Sequence, residues 1–158
     1  MPKRGRYDGL RHVRGTRVHI PGAVYHLRTT TVGRLPLLAD DACKHIALDA
    51  LKCAAAAASF DVLAYVIMPE HVHLVVRPTS DATISQFIAL FKQRSARRIN
   101  RHLGRRGSLW RKEFFDHVLR SHEHLEELVR YIHDNPVRRG LASSADEWEF
   151  SSWREVNR

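Results

Sequence analysis

The sequence has few cysteines and no long apolar run. Its two cysteines, Cys43 and Cys53, form neither a CxxC pair nor a zinc-binding spacing, which predicts buried thiols in a reducing compartment. No run approaches the roughly 18–20 apolar residues that a membrane span needs. The basic residues 1–6 lack the apolar segment of a signal peptide. These absences predict a cytoplasmic protein with no membrane partner.

Acidic residues are also scarce. The chain has 17 Asp and Glu against 26 Lys and Arg, so its net charge is +9. So basic a chain favours a polyanionic partner, nucleic acid first, although a solvated basic surface without a partner is the alternative. Its 158 residues, 44% of them hydrophobic, suit one domain with a real core. We interpret residues 1–19 as a basic N-terminal arm and residues 20–158 as a single domain.

The order of predicted elements is β-α-β-β-α-β-α. The first strand lies within 23–31, and a helix capped by Asp40 or Asp41 ends near Ser59. Strands 62–68 and 71–77 form an antiparallel pair, because only two residues join them. A capping box at 83–86 opens the second helix, which ends in the 104–107 region.

A fourth strand at 114–119 precedes a third helix. Ser121 would cap this helix, and Leu125, Leu128, Val129 and Ile132 would form its inward stripe. Pro136 stops or restarts it. The order predicts an α+β fold with a ferredoxin-like (split βαβ) antiparallel sheet, helices on one face and the other face free for a ligand.

Two histidines, His71 and His73, straddle Val72 inside an apolar strand. Residues i and i+2 of a strand point to the same face, so both imidazoles emerge side by side, roughly 7 Å apart. That spacing suits two rings that converge on one metal ion at about 2.0–2.1 Å per bond. Two ordinary strand histidines with satisfied hydrogen bonds are the alternative.

The third helix offers further groups for such a site. Tyr131 and Asn135 are four residues apart and share a helical face. An amide oxygen could complete a hard-cation site for Mg²⁺ or Mn²⁺, and a phenol beside it could attack a phosphate. Taken singly, each residue is better explained structurally, Tyr131 as a boundary residue and Asn135 as a helix cap.

The second helix carries a basic face. Arg94, Arg97, Arg98 and Arg101 follow i, i+3, i+4, i+7 spacing without an interleaved acid, which favours a phosphate track over a solvated face. Further basic residues extend the positive region, namely Lys92, Arg105, Arg106, Arg111 and Lys112. Trp110 could stack on an unpaired base or belong to the core.

Several segments resemble the IS200-like, single-tyrosine HUH transposases. MPEHVHLVV at 68–76 resembles the family's MPNHVHLLV signature, and YIHDNPVRRGL at 131–141 resembles its YIxxNPVxxGL helix. IPGAVYH at 20–26 matches the PGAxYHV opening. WEFSSW at 148–153 is similar to the WSSY-type ending of the REP-associated branch. In ordered combination over about 17–153, these motifs are highly specific.

The resemblance implies an HUH endonuclease palm with a metal-dependent transposase activity on single-stranded DNA. It implies that His71, His73 and Asn135 bind Mg²⁺ or Mn²⁺. Tyr131 would form a 5′-phosphotyrosine and release a 3′-hydroxyl near imperfect palindromes folded as hairpins. It further implies a bacterial, nucleoid-associated protein that acts as a monomer or homodimer. Glu70 departs from the pattern, since Asn is commoner there, and adds a carboxylate beside the metal.

The predicted DNA-binding residues come from the arm, the second helix and the segment after it. They are Arg4, Arg6, Arg14, Arg17, Lys92, Arg94, Arg97, Arg98, Arg101 and Trp110. The alternative function is a non-catalytic hairpin-binding protein on the same scaffold. A relaxase or replication initiator is disfavoured by the small size and the absence of a second domain.

Overall fold

The computed structural model describes residue 20, residues 22–120 and residues 124–158. The predicted basic arm, with Arg4, Arg6, Arg14 and Arg17, lies outside the described residues, as does the predicted cap Ser121. In the part of the chain that is described, no helix combines the length and apolar character needed to cross a membrane.

Four antiparallel strands form one sheet. They are β1 (Tyr25–Thr30), β2 (Phe60–Ile67), β3 (His71–Pro78) and β4 (Phe115–Val118), in the order β2-β3-β1-β4. β1 and β2 lie on either side of β3, as a split βαβ requires. The predicted ferredoxin-like sheet is therefore present.

Helix α1 spans Asp41–Ala58 and begins and ends where the sequence predicts. The side chain of Asp40 accepts a hydrogen bond from the Ala42 amide, which caps the first turn. At the other end, Ser59 adopts a left-handed backbone conformation that terminates the helix. The prediction of buried thiols is confirmed for Cys43 but wrong for Cys53, which is exposed on this helix.

Helix α2 spans Ile84–Leu103 and is also bounded by its capping residues. The predicted capping box forms: Thr83 Oγ1 accepts from the Gln86 amide, and Gln86 Oε1 accepts from the Thr83 amide. Gly104, with φ of 61°, ends the helix in a conformation that favours glycine.

Helix α3 spans Leu125–His133, and the short α4 (Asn135–Arg138) restarts after it with proline in its first turn. A last short helix, α5, spans Trp153–Val156. The chain also forms 3₁₀ turns at Val32–Arg34 and Ala145–Glu147.

The two faces of the sheet carry different helices. Val72, Leu74 and Val76 of β3 belong to the main core, which the apolar residues of α1 and α2 complete. On the opposite face, Leu128 and Ile132 of α3 pack on a smaller cluster from β2 and β3. Two helices therefore cover one face as predicted, but the other is not wholly free, because α3 lies over β2 there. The part of this face beside α3 holds the candidate site.

Candidate metal and phosphate site

The two histidines of β3 lie side by side, as their spacing predicts. His71 and His73 are 4% and 3% exposed, and their ring centroids are 4.8 Å apart with planes at 86°. They point to the face that α3 occupies, whereas Val72 between them is buried in the main core. A buried pair of polar rings in one strand requires specific partners.

Each ring is oriented by a hydrogen bond at its Nδ1 atom. His71 Nδ1 lies 2.9 Å from Glu70 Oε1, and His73 Nδ1 lies 2.9 Å from His26 Nε2 of β1. With Nδ1 engaged in both rings, Nε2 is the nitrogen by which each ring would bind a metal ion. Such partners fix both tautomer and ring orientation at metal sites.

Asn135 lies at the start of α4, and its side chain contacts the His73 ring. Its Nδ2 atom is 3.2 Å from His73 Nε2. Its Oδ1 atom is buried and has no hydrogen-bond partner among the described residues. Rotation of the amide exchanges the two atoms, so the oxygen can be brought beside the imidazole nitrogens. A buried amide oxygen without a partner is unusual, and two imidazoles with that oxygen fit a divalent cation.

Tyr131 lies on α3, one helical turn before Asn135. The centroid of its ring is 6.3 Å from that of His73. The guanidinium carbon of Arg138 lies 4.1 Å from the centroid of the Tyr131 ring, and Arg138 Nη1 donates to the Tyr131 carbonyl oxygen at 2.8 Å. The cation–π contact and the hydrogen bond together restrain the phenol at the edge of the histidine pair.

These residues line one cleft of about 280 Å³. Its lining comprises His71, His73, Tyr131, Asn135, Thr30, Arg28, Arg34, Arg111, Arg138 and Arg139. The five arginines come from β1, the following 3₁₀ turn, the segment before β4 and the end of α4. Guanidinium groups bind phosphate oxygens in bidentate fashion, so the cleft suits a phosphodiester.

The charge states of the site also suit a cation. Burial lowers the pKa of His71, and it lowers the pKa of His73 well below its usual value. The hydrogen bond from His71 and the neighbouring Arg139 lower the pKa of Glu70 to about 2. At neutral pH both imidazoles are therefore neutral, as metal ligands must be, and Glu70 is ionised.

The predicted phosphate track lies elsewhere. Arg94, Arg97, Arg98 and Arg101 are all exposed, as predicted. The first three line a groove of about 420 Å³ between α1 and α2, on the opposite face of the sheet from the cleft. Arg98 also lies 3.5 Å from Asp49 of α1. These arginines therefore form a second basic surface, and their contact with DNA stays a prediction.

Trp110 and Lys92 have structural contacts. Trp110 is 6% exposed, its Nε1 donates to Ser95 Oγ at 2.9 Å, and its ring packs on Phe91. Trp110 therefore lies in the core, one of the roles that the sequence allows, and its stacking on a base stays a prediction. Lys92 Nζ donates to the carbonyl oxygen of Arg111 at 2.7 Å. Lys92 thus supports the backbone that carries Arg111 into the cleft.

Several residues of the site are not predicted from the sequence. His26 and Arg28 lie on β1, which pairs with β3 so that Arg28 is opposite His73. Their alternation on one strand was a signal, but only the pairing of β1 with β3 shows that they meet the histidines. Arg138 and Arg139 follow Asn135 at i+3 and i+4, a spacing that places them on its helical side.

A split βαβ sheet with a histidine pair on one strand, and a tyrosine and an asparagine on the helices beside it, defines a recognisable class of protein. Comparison with known families identifies it. Residues 20–135 match the family described as "Transposase IS200 like", and the chain belongs to this family.

Curated relatives agree with that assignment. Over 104 residues the chain is 29% identical to a Haemophilus influenzae protein classed as a REP-associated tyrosine transposase, covering 60% of the chain and 59% of that protein. Over 101 residues it is 29% identical to the REP-associated tyrosine transposase of Escherichia coli, covering 63% and 58% respectively. The chain thus spans about three fifths of the length of these relatives.

Solved structures share the fold. A REP-associated tyrosine transposase bound to a REP hairpin superposes with a TM-score of 0.77 at 24% identity, over 94% of this chain and 87% of that one. A transposase-like protein of Deinococcus radiodurans superposes with a TM-score of 0.56 at 26% identity, over 77% and 97% respectively. The first match supports the fold class independently of the sequence motifs.

Proposed function

We propose that this chain is a metal-dependent transposase that cleaves and rejoins single-stranded DNA near palindromic hairpins through Tyr131. The observation that carries the proposal is the single cleft in which a phenol, two neutral imidazoles, an amide and five arginines meet. The IS200-like family and a structural neighbour bound to a REP hairpin support a hairpin substrate. The cytoplasmic, nucleoid-associated location and the monomeric or homodimeric state stay predictions.

His71, His73 and Asn135 would hold Mg²⁺ or Mn²⁺. When bound, such an ion polarises the scissile phosphate and orients it for in-line attack. Two imidazoles and one amide oxygen leave coordination positions for phosphate and water. The hydrogen bonds at the Nδ1 atoms would hold both imidazole rings in the orientation that cation binding needs.

The remaining chemistry belongs to Tyr131 and the arginines. The Tyr131 hydroxyl oxygen forms a bond to phosphorus, and the bond between phosphorus and the 3′-oxygen breaks. The phenol gives up its proton and the departing 3′-oxygen gains one, so the products are a 5′-phosphotyrosine and a 3′-hydroxyl. Guanidinium groups around the phosphate would stabilise the charge that develops on its oxygens. Attack by a 3′-hydroxyl on the phosphotyrosine reverses the step and rejoins DNA.

The test is capture of the covalent adduct. The protein is incubated with labelled single-stranded hairpins from palindromes of its own genome and Mn²⁺ or Mg²⁺, then resolved under denaturing conditions. We expect a protein–DNA adduct from the unaltered chain and none from Tyr131→Phe. Tyr65→Phe is the matched control, because Tyr65 lies outside the cleft and its hydroxyl donates to Glu155.

Two results would contradict the proposal. An adduct from Tyr131→Phe would refute the assignment of the nucleophile. Tight hairpin binding without adduct or cleavage would favour the alternative function, a non-catalytic hairpin-binding protein.

A further inference from the structure

Glu70 joins the candidate metal ligands to the arginines of the cleft. It lies in the turn between β2 and β3 and is 7% exposed. One carboxylate oxygen, Oε1, is 2.9 Å from His71 Nδ1 and 2.8 Å from Arg139 Nη1. Its backbone is also fixed, because the Glu70 carbonyl oxygen accepts from the Thr31 amide at 2.9 Å and from Thr31 Oγ1 at 3.1 Å. The carboxylate therefore contacts both a candidate metal ligand, His71, and a candidate phosphate-binding residue, Arg139.

We propose that the Glu70 carboxylate strengthens cation binding by the histidines and weakens phosphate binding by Arg139. This inference rests on the proposed function. It identifies Glu70 as a positioning residue that acts through its two neighbours.

The effect on the metal ligands has two physical causes. A carboxylate that accepts a hydrogen bond from Nδ1 makes the opposite nitrogen of the ring a stronger ligand and holds the ring in one orientation. Its negative charge also offsets Arg139, one of five arginines that would otherwise repel a cation from the cleft. An amide at this position could accept a hydrogen bond but would bring no charge.

The effect on phosphate binding follows from the same ion pair. The Arg139 side chain is 47% exposed and lines the cleft, whereas the Glu70 side chain is only 9% exposed. Guanidinium has five N–H donors, so Arg139 keeps donors for a phosphate while it is paired. The pair nevertheless reduces the positive charge that Arg139 presents, and loss of Glu70 would restore it.

Two substitutions test the inference because they move two affinities in opposite directions. Mn²⁺ alone is titrated calorimetrically, and a single-stranded DNA hairpin is titrated separately in the presence of chelator. For Glu70→Gln we expect Mn²⁺ binding about tenfold weaker, with metal-free DNA binding tighter. For Arg139→Gln we expect Mn²⁺ binding tighter, with DNA binding weaker and its salt slope lower by about 0.7.

Glu149→Gln is the control, since it removes one negative charge from an exposed position outside the cleft. It should change neither affinity. Thermal melting checks the folding of each variant, and Arg139→Gln keeps the test decisive if Glu70→Gln does not fold, because the change is at a half-exposed side chain.

Unchanged Mn²⁺ affinity or unchanged metal-free DNA affinity in Glu70→Gln, or a parallel loss of both, would overturn the inference. Unchanged or weaker Mn²⁺ binding in Arg139→Gln would overturn it as well. An unaltered chain that binds no Mn²⁺ would also overturn it. Failure of the proposed function gives a different result: an unaltered chain that binds Mn²⁺ and DNA but forms no adduct, with the two opposite shifts still present.

Discussion

At the scale of single residues, the site is organised by hydrogen bonds behind the candidate ligands. His26 contributes one of them through its Nε2 atom, and its ring also stacks on His73 with centroids 5.1 Å apart. The Phe115 ring of β4 packs against the His26 ring in an edge-to-face arrangement, with centroids 5.3 Å apart. Strand β3 thus sets the face on which His73 lies, and His26 of strand β1 helps to orient its ring.

Replacement of His26 by phenylalanine distinguishes the contribution of its hydrogen bond to metal binding from that of its ring packing. Phenylalanine keeps a ring beside His73 and Phe115 but removes the partner of His73 Nδ1, so we expect Mn²⁺ affinity to fall about tenfold while the fold is retained. Calorimetric titration with Mn²⁺ and thermal melting measure the two effects. His45→Phe, at an exposed position against Phe150, is the control. Equal Mn²⁺ affinity in His26→Phe and the unaltered chain would show that the ring alone suffices.

The residues of the site differ in how far sequence can predict them. The strand period was enough to place His71 and His73 together, because residues i and i+2 always share a face. The roles of His26 and Arg28 depend on which strands are neighbours and in which register, information that no local pattern holds. The contact of Glu70 with Arg139 links residues 69 positions apart. Contacts of this kind become visible only in the folded chain.

At the scale of elements, the capping residues set the helix boundaries. The capping box at Thr83 satisfies backbone amides that the first turn of α2 leaves without helical partners. We expect Thr83→Ala to lower the free energy of unfolding by about 1 kcal/mol, measured by urea denaturation. Ser85→Ala, at an exposed position in the same turn, is the control and should have a smaller effect. Equal losses in both variants would mean that the box adds nothing beyond helix propensity.

Helix α3 shows where element-level prediction ends. Its apolar spacing predicted an inward stripe, and Leu128 and Ile132 are indeed fully buried, but Leu125 at the first position is 37% exposed. The stripe predicts only that one side of the helix is buried. It does not specify which face of the sheet receives it, since both faces offer apolar residues. The position of α3 over β2 decides that Tyr131 lies beside the histidines.

At the scale of the whole molecule, the arginines of the described residues include one group in the cleft and another on the opposite face of the sheet. The cleft arginines are Arg28, Arg34, Arg111, Arg138 and Arg139. The helical arginines are Arg94, Arg97, Arg98 and Arg101 of α2, on the other face of the sheet. The sheet and its main core separate the two groups, so one short strand cannot contact both without passing around the domain edge. A folded hairpin with a single-stranded extension could do so.

This separation predicts different consequences for the two groups. Arg94→Gln with Arg98→Gln should weaken hairpin binding and lower the salt slope by about 0.7–0.9 for each phosphate that the protein no longer neutralises. Arg34→Gln with Arg111→Gln should, in addition, reduce cleavage at saturating DNA more than the helical pair does, because these guanidiniums lie in the cleft with Tyr131. Both pairs remove two charges, so the general electrostatic loss is matched.

Affinity measured at low and high salt, together with single-turnover cleavage, distinguishes them. Unchanged affinity of the helical pair at both salt concentrations would reject the second DNA surface, and equal cleavage losses would reject the division of roles.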